Sequence, residues 1–290
     1  MYARIIDCRN HSAIAAEKAP SHGSVKISRL PSISPVLYSL IENGHTYTFA
    51  MARTPHQVHG AHRLQTDMYA WRGYRGSVSP SRCPRIGGPS CSKITLVAAL
   101  EDRIVGTLTV APDCREGMNA DELFQEYIDG FRANNRQLCE LTRLAVDNAH
   151  KSSRLLATLF HLAYLYAHRV RGCSDLIIEV NPRHMAFYGH SLGFRDRGDT
   201  RLCPRVNAPA KLMHLECDMA ARLIRMCAGN PIHRSERFSF YRHFLTGAEG
   251  TVALNNLRRL ASHGFSPQDC VTGCPAPSHP TPAVAAVAGS

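Results

Sequence analysis

The chain has 290 residues, 44% of them hydrophobic, and carries 34 Lys plus Arg against 23 Asp plus Glu, a net charge of +11. That apolar content excludes wholesale disorder, and the length gives room for one substantial core with extensions at both ends. The charge excess points to an acidic partner (nucleic acid, an anionic membrane surface or an acidic carrier protein), with a merely solubilising surface as the plain alternative. No run approaches a membrane span, because the most apolar helix is interrupted by His161 and His168. The start, MYARIIDCRNH, has no continuous apolar segment after its basic residues, so a secretory signal is not expected. Eleven cysteines, an odd number without repeating pair spacing, read as free thiols of a reducing cytosol. Cys270 and Cys274, with His279 after them, do not match the usual spacing of a zinc pair, and no metal site is expected.

Residues 1–44 show no sustained period and read as an extension with one short element near Val36 to Ile41. Regular structure starts at Tyr47 to Met51. Thr54 then stands as a helix N-cap, Pro55 fits the first turn and Gln57 completes a capping box. Val58, Ala61, Leu64 and Met68 make the apolar stripe of that helix, and Arg63 and Asp67 sit four apart on another face. The stretch 72–92 is rich in Gly and Pro and carries Arg72, Arg75, Arg82 and Arg85, so it reads as a long mobile basic loop. Ile94 to Leu100 and Ile104 to Val110 are strands of a hairpin around Glu101-Asp102-Arg103. Asp121 to Phe131 reads as a helix.

The segment from Leu138 to Phe194 organises the rest. Glu140, Thr142 and Arg143 lead into the apolar run Leu144-Ala145-Val146, which Asp147 closes. Ser152 to His168 is helical, with Leu155, Leu156, Leu159, Phe160, Leu162, Ala163 and Leu165 forming a surface wide enough to lie on a sheet. Leu176 to Val180 has the composition of a strand inside a sheet, and Asn181-Pro182 stops it. A shorter helix holds Met185, Ala186, Tyr188 and Leu192 and ends at Gly193. Strand, helix, strand, helix with short connections is an α/β arrangement with right-handed crossovers.

The order and spacing of the helix around Ala61 to Tyr69, Gly106 to Val110, ELTRLAVD at 140–147 and FYGHSLGF at 187–194 resemble the Gcn5-related acyltransferase superfamily. The resemblance covers roughly Tyr47 to Met219 and is greatest to the bacterial long-chain N-acyl amino acid synthases. The segment 140–143 is also similar to one in acyl-homoserine lactone synthases. The resemblance implies an α+β fold: a mixed sheet split open between its central strands, with helices on both faces. It further implies direct attack of an amine on a thioester carried by acyl carrier protein, with no bound metal or redox cofactor.

Coenzyme A-dependent relatives have a glycine-rich, basic loop after the central strand, whose amides wrap a pyrophosphate at a helix start. Here the stretch is Asn148-Ala149-His150-Lys151-Ser152-Ser153-Arg154, without glycine. It suits the single phosphate of carrier-bound phosphopantetheine. The expected donor site is therefore Val146, Asn148, Lys151, Ser152 and Arg154, with ordinary N-capping by Ser152 as the alternative. Approximation supplies much of the rate in amide formation from a thioester, and no nucleophilic triad stands out.

Glu140 is the expected catalytic carboxylate, orienting or deprotonating the amine; Arg143 is expected to hold an acceptor carboxylate or a supporting acid, and Arg115 to clamp the acceptor carboxylate, with a plain surface-loop residue as its alternative. Glu140 and Arg143 are three apart, so an ideal strand puts them on opposite faces unless a bulge intervenes; a salt bridge fixing the strand is the other reading. Tyr188 matches the tyrosine that protonates the leaving thiolate in the superfamily. Four residues rather than the commonest three separate it from Gly193, a rotation of about 100° in an ideal helix. His161 reads as a structural histidine.

Lys211 to Met219 reads as the last strand. Arg222 to Cys227, Glu236 to Phe244 and Val252 to Ser262 look helical, with seven arginines and two glutamates between Met219 and Ala261. The expected organisation is an extension at 1–44, an acyltransferase domain at 45–220, a helical extension at 221–269 that is either a carrier- or membrane-facing surface or a plain helical cap, and a flexible tail at 270–290. The functional expectation is a cytoplasmic acyltransferase moving a long fatty acyl group from acyl carrier protein to the α-amino group of an amino acid. Homoserine lactone synthesis from adenosylmethionine and a non-catalytic carrier-binding protein are the alternatives. No aromatic-basic repeat supports specific nucleic-acid binding.

Overall fold

A computed structural model describes residues 35–73, 93–230 and 238–262. The extension 1–34, the basic loop at 74–92 and the tail from 263 lie outside the described residues. One eight-stranded sheet runs in the order β1-β2-β3-β4-β5-β6-β8-β7. Its strands are β1 Val36–Glu42, β2 His45–Met51, β3 Ile94–Leu100, β4 Arg103–Pro112, β5 Leu138–Val146, β6 Asp175–Val180, β7 Arg195–Cys203 and β8 Ala208–Glu216. All neighbours pair antiparallel except β5 and β6, which are parallel and joined through a helix, as a crossover requires.

The helices are α1 Pro55–Trp71, α2 Asp121–Ala133, α3 Ser153–Tyr164, α4 Cys217–Cys227 and α5 Gly247–Ser262. Helix α1 buries Ala61 and Leu64 against Val97, Ala99, Ile104 and Ala145, and α2 sets Phe124 and Ile128 against Leu138, Ile177 and Leu212. Both lie on one face of the sheet. Helix α3 covers the other face, with Leu155, Leu159 and Leu162 in the main core. The capping box forms as read: Thr54 Oγ1 accepts from Gln57 N–H at 3.2 Å, and Gln57 Oε1 accepts from Thr54 N–H at 3.2 Å. The Arg63–Asp67 pair is long, at 3.9 Å, and exposed.

Four features depart from the sequence reading. Residues 36–42 belong to the sheet rather than to an extension, because β1 pairs along β2. The polar run Arg195–Cys203 is a strand at the sheet edge, where mostly exposed side chains give no apolar alternation. Strand β8 stops at Glu216, and Cys217 to Met219 open α4. Cys114 is disulfide-bonded, whereas Cys139, Cys173, Cys203, Cys217 and Cys227 are free. No helix among the described residues is long and apolar enough to cross a membrane.

Candidate active site

Strands β5 and β6 pair only through Leu138–Asp175, Cys139–Leu176 and Glu140–Ile177. Beyond Glu140 they part, for a local reason. Thr107 and Thr109 of β4 face Ala145 and Thr142 of β5, so β5 carries one extra residue there. Arg143 takes it up at φ +56°, a β-bulge with a non-glycine residue in the left-handed region. The bulge bends β5 away, and Asn181-Pro182 ends β6 in a short 3₁₀ turn. The base of the split is pinned by Asp175, fully buried, which accepts from Arg136 at 2.6 and 2.8 Å and meets His214 Nε2 at 2.6 Å.

A cleft of about 730 Å³ occupies the split. Leu141, Val146, Leu156, Phe160, Val180, Phe187 and Tyr188 make its apolar wall on the α3 face. Thr142, Arg143 and Glu179, with Tyr69, Trp71 and Arg72 at the end of α1, line it elsewhere. Glu179 follows Ile177 by two residues and so shares the α2 face. The opening therefore connects the two faces of the sheet.

Helix α3 begins at the cleft. Ser152 Oγ accepts from Leu155 N–H at 2.9 Å, and Lys151 Nζ donates to Asn148 Oδ1 at 2.9 Å. Lys151, Arg72, Arg183 and His184 share the cleft lining and act on one another. Burial and Arg72 hold the Lys151 ammonium below its ordinary value. Burial, then the charges of Arg183, Arg72 and Lys151, push the His184 imidazole down to about 4. Such crowding of positive charge is relieved by an anion.

Of the residues expected from sequence, Arg143, Val146, Asn148, Lys151, Ser152 and Tyr188 line the cleft together. Arg115 and Arg154 are exposed and outside its lining. The charge of Arg154 acts instead on Tyr38, His243 and Glu249, on the α5 side. Glu140 also stands off the cleft, 1% exposed, with Oε2 accepting from Asn119 N–H at 2.9 Å and Asn119 Nδ2 at 3.1 Å. Only the first three residues of β5 are paired to β6, and Glu140 is the last of them.

The carboxylate on the lining is Glu179, which sequence reasoning missed inside the run Leu176 to Val180. Its side chain is 11% exposed and pairs with Arg205, while Oε1 is buried without a hydrogen-bond partner. Burial raises its proton affinity, and Arg205 opposes that. Arg205 also donates to the Asn119 carbonyl at 2.8 Å, so Glu140, Asn119, Arg205 and Glu179 form one connected polar layer.

The turn holding Tyr188 removes the expected rotation. Phe187–Leu192 is a π-helical turn that ends at Gly193, φ +84°. A π turn takes up one additional residue, so the four-residue spacing does not swing Tyr188 away from the cleft. Its ring lies 6.2 Å from Phe160 and 5.9 Å from Phe194, edge-on to both.

Burial, and secondarily the charge of Glu179, push the Glu140 carboxyl up to about 7 from an ordinary 4.5. The folded chain thus holds this proton more tightly than the unfolded chain. The stabilisation is complete below the unfolded value and is lost as pH rises through the folded one. Its upper size is about 3 kcal/mol. Wild type should therefore lose more stability than Glu140→Gln between about pH 5 and about pH 8 in denaturant titrations. Parallel pH profiles for the two proteins would contradict the buried, proton-holding role.

The pattern of the family described as "FeeM: N-acyl amino acid synthase FeeM" matches residues 60–216, more than half of the chain. The chain belongs to the FeeM N-acyl amino acid synthase family. Like the family, it is an amide-forming acyltransferase on the Gcn5-related fold. The solved structure of FeeM, an N-acyl amino acid synthase from uncultured soil microbes, is 25% identical, with a TM-score of 0.54 over 61% of this chain and 93% of that one. An acyl-CoA N-acyltransferase from Pseudomonas aeruginosa is 16% identical, with a TM-score of 0.38 over 58% of this chain and 97% of its own. An N-acetyltransferase from Staphylococcus aureus Mu50 is 10% identical, with a TM-score of 0.42 over 59% and 98%. No curated protein matches the chain.

Proposed function

We propose that this FeeM-family enzyme transfers a long-chain fatty acyl group from the phosphopantetheine thioester of acyl carrier protein to the α-amino group of an amino acid. The observation that carries the reading is the cleft through the split: an apolar wall on the α3 face, cations beside the α3 start, and Glu179 with Arg143 opposite. The apolar wall suits a fatty chain. Lys151, Asn148, Ser152 and Arg72 suit one phosphate, and the β5 backbone near Val146, unpaired to β6 beyond Glu140, suits the pantetheine amides. Arg143, on the cleft lining, suits the acceptor carboxylate as a planar fork.

In this reading Glu179 accepts a proton from the acceptor ammonium, leaving a neutral amine. Its nitrogen attacks the thioester carbonyl carbon, the C–N bond forms and the C–S bond breaks. Tyr188 gives its phenolic proton to the departing thiolate and takes back the second proton of the attacking nitrogen, so that amide, free thiol and protonated Glu179 remain. Glu140 acts behind Glu179 as a positioning residue, through Asn119 and Arg205.

Acyl carrier protein is acidic in this reading, so its encounter with the basic chain is salt-sensitive. At matched chain length, kcat/KM for the carrier-bound donor should exceed that for acyl-coenzyme A by on the order of tenfold, about 1.4 kcal/mol. Raising salt should weaken carrier binding. Equal efficiency with both donors, at every salt concentration, would contradict the donor assignment.

A further inference from the structure

Phe240 lies beyond the stretch that matches the family, yet it contributes to the cleft. Phe240 lines it while being only 3% exposed. We infer that Phe240 determines the length of acyl chain the enzyme accepts, so that the segment after the family domain sets its specificity. This rests on the reading that the cleft holds an acyl thioester.

The ring is part of an aromatic wall. Its centroid lies 5.3 Å from Phe187 and 6.4 Å from Phe160, both near-perpendicular, and 6.3 Å from Phe244 behind it. Its neighbours are anchored to the site itself. Phe238 N–H donates to the His190 carbonyl at 2.9 Å, and Tyr241 Oη donates to the Leu192 carbonyl at 2.9 Å. Both carbonyls belong to the π turn that carries Tyr188. Leu245 N–H donates to His161 Nδ1 at 3.1 Å, and Phe244 stacks on that imidazole at 5.1 Å. Burial pushes the His161 ring down to about 4, so it stays a neutral acceptor near neutral pH. Phe240 therefore has close-packed aromatic surface on one side and the cleft on the other. It cannot yield to a longer chain without breaking these anchors, because cores resist added volume.

A graded series of S-alkyl pantetheine thioethers, which bind without transferring, tests this on the full chain. Affinity is read by calorimetry in every variant, with fluorescence of Trp71, the single native tryptophan, as a second signal in all but the tryptophan variant; it lines the cleft and is 64% exposed. Phe240→Ala should shift preference toward longer chains, changing the long-to-short affinity ratio by about tenfold or more, and Phe240→Trp should shift it the other way. Phe240→Leu gives a folded intermediate case should the alanine variant unfold. An unchanged order of chain lengths in folded leucine and tryptophan variants would overturn the inference, as would wild type binding all lengths alike or none. Shifted binding without amide product from any amino acid would support the ruler and defeat the proposed acceptor reaction.

Discussion

Glu179→Gln should lower kcat roughly 10²–10⁴-fold, the range for loss of a group acting in proton transfer, with donor binding and folded content retained. The substitution keeps the volume and one carbonyl acceptor but removes the charge and basicity. Its wild-type side chain lines the cleft and is held on one oxygen by Arg205, while the other, Oε1, is buried without a hydrogen-bond partner. A buried carboxylate with half its hydrogen-bonding capacity unused is costly unless an ammonium or amine arrives to meet it. Burial also raises its proton affinity, which makes it a better base near neutral pH than an exposed glutamate. The neighbouring Glu140→Gln should lose less turnover, because Glu140 is off the cleft lining and touches Asn119. Turnover, binding of an S-alkyl pantetheine thioether and thermal unfolding are to be measured on one preparation of each variant. Near-normal kcat in Glu179→Gln would remove it from the proton path.

The largest stability effect should come from the closed end of the split. Asp175→Ala leaves Arg136 and His214 facing a site whose carboxylate had been fully buried between them. Removing one member of a buried ionic cluster costs roughly 3–5 kcal/mol, much of it from the group left unpaired. His214, Arg136 and Ser174 together outweigh the burial that would otherwise raise the Asp175 carboxyl, and hold it well below the ordinary range. A depressed acid contributes stability above its unfolded value and loses it as pH falls through the folded one. The variant's deficit should thus be largest near neutral pH and shrink in strong acid, as urea titrations across pH would show. A deficit below about 1 kcal/mol near neutrality would place the cluster among ordinary surface pairs.

Much of the frame was legible because its signals are local. Thr54, Pro55 and Gln57 announce α1, Asn181-Pro182 ends β6, and Gly193 ends the Tyr188 turn, each through a backbone requirement that few other residues meet. Edge strand β7 was hidden because RDRGDTRLC has no apolar face to alternate. Glu179 was hidden for the opposite reason, as a polar residue flanked in its strand by buried Ile177, Ile178 and Val180. The bulge at Arg143 leaves no mark in sequence, since arginine has no preference for positive φ. The π turn at 187–192 inverted a geometric argument that was sound for an α-helix. Phe240 reaches the cleft from about fifty residues beyond Tyr188, and only tertiary packing puts it there.

The reaction proposed for the cleft joins a fatty acyl group to an amino acid through an amide. Its direct test is incubation of the full chain with purified long-chain acyl carrier protein and the common amino acids, followed by mass analysis of the products. The expected product is an N-acyl amino acid whose mass is the sum of the fatty acid and the acceptor less one water, together with free carrier thiol. Carrier complex without amide for any acceptor, or an acyl lactone formed only when adenosylmethionine is supplied, would contradict it.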